Sequence, residues 1–150
     1  MSQITMPEFA DKMGEFLPIV MKEFARRVSE LYKGKITFPQ FLIMELLDKQ
    51  GGSKMTDMAK FMGVTTAAMT GIIDRLVKSG YVTRSHEPGD RRIINIKPTA
   101  KGYKLVKKVH TQRKQMIINI FGKISEKDRE EYLRIVMQIR DILLSSGHEV

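Results

Sequence analysis

The sequence predicts a mainly α (α+β) fold: long helices at both ends, two short helices joined by a tight turn in the middle, and a small β ribbon directly after them. Three observations carry this. Apolar residues recur at three- and four-residue steps along most of the chain. That period is replaced by two short β-prone runs only between residues 81 and 96. Helix caps and glycine stops fall where the helical period restarts.

Met6 to Tyr32 forms the first helix, with Phe9, Met13, Phe16, Val20, Phe24, Val28 and Leu31 on one stripe. Pro18 lies inside it and predicts a kink or a break, and Gly34 ends it. Thr37-Phe38-Pro39-Gln40 has the form of a capping box, a hydroxyl at the N-cap and a Gln three residues on. The helix it opens carries Phe41, Leu42, Leu46 and Leu47 and stops at Gly51-Gly52. A shorter helix from about Met55 to Met62 ends at Gly63. Thr65 caps the next, which places Met69, Ile72, Ile73, Leu76 and Val77 on one side and ends at Gly80. Two helices joined by Gly63-Val64 make a helix-turn-helix.

Tyr81-Val82-Thr83-Arg84 and Ile93-Ile94-Asn95-Ile96 flank the turn-rich His86-Glu87-Pro88-Gly89-Asp90. A hairpin in this position is a wing, so the expected fold is a winged helix-turn-helix with a two- to three-stranded wing. Thr99 caps a long basic helix to about Phe121, with Tyr103, Val106, Val109, Met116, Ile117 and Ile120 as its apolar residues. Ser125 and Asp128 cap a last helix to about Leu144. There are no internal repeats and no low-complexity linker.

The charge points to a polyanion. The net charge is +9, yet residues 75–114 alone carry twelve Lys and Arg against Glu87 and Asp90, a local +10. The rest of the chain is close to neutral. A basic segment that overlaps a helix-turn-helix and its wing favours duplex DNA over a merely solvated surface. With five apolar positions turned inward, the Thr65–Ser79 helix points Ala67, Gly71, Asp74 and Lys78 outward, with Thr66 and Thr70 on the shoulders. Small and hydroxylated residues can enter a major groove and touch base edges and thymine methyls. Thr65-Thr66-Ala67-Ala68 is equally consistent with a cap and close helix packing. Asp74 would repel phosphate and is expected to pair with a nearby Arg or Lys. At the wing tip, Arg91 and Arg92 can lay a guanidinium into a narrow A·T-rich minor groove, with Asp90 orienting one of them. Arg75, Lys78 and Arg84 add cations nearby. Lys101 is expected, if it meets DNA at all, as a phosphate or long-range contact.

Other classes find less support. There is no cysteine, which removes disulfides, thiolate metal sites and thiol sensing. His86, His110 and His148 have no ligand-like spacing, so no metal is expected. No nucleophile-base order and no Gly-rich phosphate loop ahead of a helix is present, so neither an enzyme nor a cofactor is expected. The methionines sit mostly at helix-core spacing, which favours adaptable packing over oxidation sensing. No stretch approaches the roughly 20 apolar residues of a membrane span. Met1 to Asp11 lacks a basic head and apolar run, so the expectation is a cytoplasmic protein without membrane partners.

Gly63-Val64-Thr65, then Ile73-Asp74-Arg75-Leu76-Val77-Lys78-Ser79-Gly80-Tyr81-Val82, then Asp90-Arg91-Arg92 and Thr99-Ala100-Lys101-Gly102 resemble the MarR family's central signature in order and spacing. The resemblance runs from about Thr37 to Gly102 and is architectural in the flanking helices. It implies a DNA-binding dimer whose Thr65 helix reads the major groove, with Arg92 entering the minor groove and Asp90 holding the wing. Pro98 departs from the family pattern, and because it removes a ladder N–H the second wing strand is expected to end at or before Lys97.

The last helix is apolar around most of its circumference, through Tyr132, Leu133, Ile135, Val136, Ile139, Ile142, Leu143 and Leu144. That exceeds one packing face and predicts burial against a second copy. Phe9, Phe16 and Val20 of the first helix, with Tyr132, Val136, Ile139 and Leu143 of the last, are the expected dimer contacts. The expected organisation is one domain over residues 1–150, with a winged core at about 37–102 and dimerisation helices at about 6–32 and 103–146. The function expected is a sequence-specific regulator that represses by occupying a pseudo-palindromic operator as a homodimer. The resemblance implies a small, often aromatic, amphipathic ligand between the dimer helices and the DNA-binding lobe. No pocket residue follows from the sequence; Tyr32 and His110 are the two candidates. The alternative is a winged-helix architectural or protein-interaction module that binds duplex without sequence readout.

Overall fold

The computed structural model describes residues 3–145. Their order is α1 (Met6–Glu30), α2 (Phe38–Gln50), β1 (Ser53–Lys54), α3 (Met55–Met62), α4 (Thr66–Lys78), β2 (Val82–Glu87), β3 (Asp90–Pro98), α5 (Ala100–Phe121) and α6 (Glu126–Ser145). This is the mainly helical, winged arrangement the sequence predicts. The chain forms two compact units, one ending at Thr111 and the other starting at Gln112. Among the described residues no helix is long and apolar enough to cross a membrane.

Local chemistry sets the helix starts in the first unit. Thr37 accepts the Gln40 N–H at 3.4 Å while the Gln40 side chain accepts the Thr37 N–H at 2.8 Å, a closed capping box with Pro39 in the first turn. Such a cap is worth about 1 kcal/mol. Thr5 and Glu8 make a second box at the head of α1. Pro18 does not break α1, which runs unbroken from Met6 to Glu30. The carbonyl its ring crowds belongs to Gly14, four residues back.

The core of this unit gathers one face from each short element. Phe41, Ile43, Met44 and Leu47 of α2 meet Met55, Met58 and Ala59 of α3, and Met69, Ile73 and Leu76 of α4. Val82 and Ile96 of the ribbon and Leu105, Val106 and Val109 of α5 close it. Tyr32 belongs to this core, stacked on Phe41 with ring centroids 4.8 Å apart. Ile72 and Val77, expected inside, are only half-buried at its edge.

The sheet has three strands in the order β1-β3-β2, all antiparallel. The third is β1, two residues ahead of α3 that pair with Ile96 and Asn95. The expectation that β3 ends before Pro98 is wrong, because Pro98 pairs with Val82. The Thr99 N–H bonds the Tyr81 carbonyl at 3.0 Å. Backbone groups alternate sides along a strand, so the missing N–H of Pro98 faces away from β2, where β1 has already ended. The proline costs the ladder nothing at that position.

In the second unit, Ser125 caps α6 by accepting the Asp128 N–H at 3.1 Å, and its hydroxyl donates to the Asp128 carboxylate at 2.6 Å. The Tyr132 ring leans on Phe121 at 5.4 Å. No residue of α6 is buried, and none of α1 in the first unit is. Among the described residues no group of His, Asp and Glu could hold a metal ion; His148 lies outside them.

Candidate nucleic-acid interface

Two helices and a hairpin present the basic surface. Gly63 ends α3 in the left-handed conformation, φ 65°, which only glycine adopts without strain. Its N–H and that of Val64 bond back to carbonyls of the last turn of α3. The chain then turns straight into Thr65, whose hydroxyl accepts the Ala68 N–H at 3.1 Å and opens α4. Thr65 is thus the cap, and its hydroxyl proton remains available to an acceptor outside the helix.

Along α4, Met69, Ile73 and Leu76 are buried, while Thr66, Ala67, Gly71, Asp74, Arg75 and Lys78 are exposed. Thr70 is half-buried, and its hydroxyl donates to the Thr66 carbonyl at 2.9 Å. That proton is committed to the helix, so in this rotamer Thr70 offers an outside partner only a lone pair and its methyl group. The exposed side of the first two turns is built of small residues, the shape a groove admits.

The wing runs further than the sequence implied: β2 continues to Glu87 and β3 starts at Asp90, leaving Pro88-Gly89 as the turn. Near the tip, His86 Nδ1 lies 2.7 Å from the Arg91 carbonyl, and the Asn95 amide donates to the Glu87 carboxylate. Asp90 accepts the backbone N–H of Arg92 at 3.0 Å and its Nε at 3.1 Å, with Nη2 on the second oxygen at 3.3 Å. The Arg92 side chain is 92% exposed while its direction is fixed. These hydrogen bonds hold the Asp90 carboxyl below the usual carboxylate range, the side chain of Arg92 contributing more than its N–H. The fork is therefore intact at any pH above roughly 4 and opens only as pH falls through the lowered value. Arg91 is exposed beside it.

Two ties escaped the sequence. Arg84 of β2 meets Asp74 of α4 at 2.7 Å, the kind of partner that Asp74 was expected to need. Lys101, expected as a phosphate contact, donates from Nζ to the Ser79 carbonyl at 2.7 Å and lies 4.7 Å from the centre of the Tyr81 ring. Thr99, beside it, donates to the Gly80 carbonyl at 2.6 Å and caps Gly102 at 3.1 Å. The first turn of α5 therefore fastens the end of α4. A charge-assisted bond there, on the negative end of the helix dipole, contributes on the order of 1 kcal/mol. We expect Lys101→Met to lower unfolding stability by about that amount while leaving the salt dependence of DNA binding as it is. A loss in salt slope by titration at several ionic strengths would return Lys101 to the phosphate role.

His110, the other pocket candidate, is engaged within the first unit, its Nε2 2.8 Å from Glu45 Oε1. The expected dimer contacts all lie open in the single chain: Phe9, Phe16 and Val20 on α1, and Tyr132, Val136, Ile139 and Leu143 on α6.

The chain that carries this site matches known proteins in sequence and fold. The model of the MarR family covers residues 36–94. A MepR-like protein crystallised with pseudoligands is 30% identical, covers 93% of this chain and 97% of its own, and superposes with a TM-score of 0.57. The chain belongs to the MarR family. The uncharacterised HTH-type transcriptional regulator YfiV of Bacillus subtilis is 40% identical over 78 residues, 52% of this chain and 49% of YfiV. The chain thus spans about half the length of that relative. A point mutant of MarR from E. coli, solved in complex with operator DNA, has the same fold at a TM-score of 0.65 and 20% identity, over 91% of this chain and 99% of its own. In this MarR-family chain the family model ends within β3, so the fastening of α4 by Lys101 and Thr99 lies beyond it.

Proposed function

We propose that this chain is a sequence-specific double-stranded DNA-binding regulator that represses transcription by occupying a pseudo-palindromic operator as a homodimer. The observation that carries it is the pairing of an exposed, small-residue helix face with an arginine held out from the wing by its own carboxylate. The first can sink into a major groove through Thr65, Thr66, Ala67, Thr70 and Gly71, and the second can enter the adjacent minor groove. Arg75, Lys78 and Arg91 supply positive charge for the flanking phosphates. The E. coli relative in complex with operator DNA supports the same use of the fold.

Two further features support the finer parts. The open apolar faces of α1 and α6 suit a two-fold partner, and a two-fold protein asks for a two-fold site. Between α1 and the start of α2, Ala25, Val28, Tyr32 and Phe38 line a cleft of about 420 Å³ together with Lys22, Ser29 and Arg26, the last bonded to Glu23. A largely apolar lining suits a small aromatic or amphipathic effector. The MepR-like relative was crystallised with pseudoligands.

The test is selection of bound DNA from a random pool, then titration of wild type and Arg92→Ala against selected and scrambled duplexes. A two-fold symmetric site is expected, with Arg92→Ala binding it about tenfold more weakly per half-site. Folding stability should hold within about 0.5 kcal/mol, because the side chain is solvent-exposed. Equal affinity of wild type for selected and scrambled duplex would make the protein architectural instead. Unchanged affinity of Arg92→Ala would remove the wing from recognition.

A further inference from the structure

Arg84 and Arg92 are both wing arginines paired to an aspartate, yet they are presented in opposite ways. Arg92 is 92% exposed and its carboxylate partner is two residues away on the same strand. The Arg84 side chain is only 33% exposed, and its partner Asp74 is on another element, the recognition helix α4, at 2.7 Å. Side chains alternate along a strand, so Arg84 shares a face of β2 with Val82, which is buried in the core. Arg84 thus points back towards the body of the protein, at a ribbon position opposite the fully buried Ile96.

Asp74 has the complementary problem. It is the sole acid on α4 and lies on the exposed side of that helix, one turn beyond Thr70 and Gly71. Bare, it would repel the phosphates that Arg75 and Lys78 attract.

We propose that Arg84 is a positioning residue and not a DNA contact: with Asp74 it forms a clamp that sets the wing strand against the recognition helix and masks the carboxylate there. This role presupposes that α4 and the wing are the DNA surface. A partly exposed pair adds little to folding; its effect lies in keeping two reading elements in one mutual geometry. If the wing swings, helix and arginine tip can no longer seat in neighbouring grooves together.

The clamp has a signature of opposite sign to simple electrostatics. The experiment uses the full chain, the duplex selected by wild type and a scrambled duplex, at several salt concentrations, with thermal unfolding of each variant alongside. The variants are Asp74→Ala, Arg84→Ala, both together, and the exchange Asp74→Arg with Arg84→Asp. Each single alanine should weaken binding to the selected duplex by about fivefold or more, although Asp74→Ala removes a negative charge from the DNA-binding face. The double alanine should lose no more than either single one, the mark of a shared interaction. The salt slope of Arg84→Ala should equal that of wild type, because no phosphate contact is removed. The exchange should recover most of the affinity. Tighter or unchanged binding by Asp74→Ala would overturn the clamp. So would a salt slope reduced by about one for Arg84→Ala together with no recovery on exchange, which makes Arg84 a phosphate contact. Wild-type preference for the selected duplex tests the DNA surface separately, and the pattern among variants tests the clamp.

Discussion

Replacing Gly102 with alanine should destabilise the protein by roughly 3 kcal/mol or more, at or beyond the top of the range for overpacked cores. A Cβ on Gly102 would lie 2.2 Å from the Tyr81 carbonyl oxygen and 2.8 Å from Met44 Cε. The methionine tip can rotate away. The carbonyl cannot, because it accepts the Thr99 N–H at 3.0 Å and so belongs to the ladder that ends the wing. Alanine is favoured over glycine within a helix by only about 1 kcal/mol, too little to offset a backbone collision. Urea unfolding of Gly102→Ala reads the loss directly. A variant as stable as wild type would show that α5 can back away from Tyr81 at small cost.

The second large effect concerns assembly. Ile139 is 45% and Leu143 67% exposed in the single chain, and α1 adds Phe9, Phe16 and Val20 as further open apolar area. Burying one such side chain is worth roughly 1.5–3 kcal/mol. Ile139→Glu with Leu143→Glu alters four positions across two copies. With the side chains already about half covered, it removes roughly 3–6 kcal/mol of apolar burial, and desolvating the four carboxylates costs several kcal/mol more. That is enough to turn a nanomolar dimer, near −12 kcal/mol, into one that is monomeric at micromolar concentration. Wild type should scatter light as a dimer and melt at higher temperature as concentration rises; the double variant should do neither. A well-behaved wild-type monomer at micromolar concentration would defeat the homodimer.

Helix starts and stops are the most legible part of the chain, because they depend on residues three or four apart. The capping box at Thr37, the Ser125 and Thr65 hydroxyl caps and the Gly63 turn all follow from local chemistry visible in the sequence. So does the Asp90–Arg92 fork, whose partners are two residues apart. What escapes depends on tertiary placement. The β1 strand is two residues long, too short for any period, and exists only because β3 passes beside it. Pro98 runs against expectation because its tolerance turns on which side of β3 has a neighbour. In the sequence, Arg84 and Lys101 look like two more cations in a basic run. Their partners, Asp74 and the Ser79 carbonyl, are ten and twenty-two residues away, and only the fold brings each pair together. Tyr32 shows the same limit from the apolar side. Its ring both stacks on Phe41 and lines the cleft between α1 and α2, and spacing alone reveals neither.

The fork at the wing tip separates finding DNA from holding it. An arginine carries roughly 2 kcal/mol of rotamer entropy, and part of that is already lost in the free protein because Asp90 holds Nε and Nη2. The carboxylate also cancels the guanidinium's charge at long range, so the Arg92 tip adds little to the field that draws the protein towards a polyanion. Attraction from a distance falls to the cations without such a partner, Arg91 among the exposed ones. Encounter would then be governed by salt and by the spread of lysines. Residence time would be governed by one pre-aimed side chain per half-site, so that losing it leaves the association rate nearly intact and shortens the lifetime of the complex.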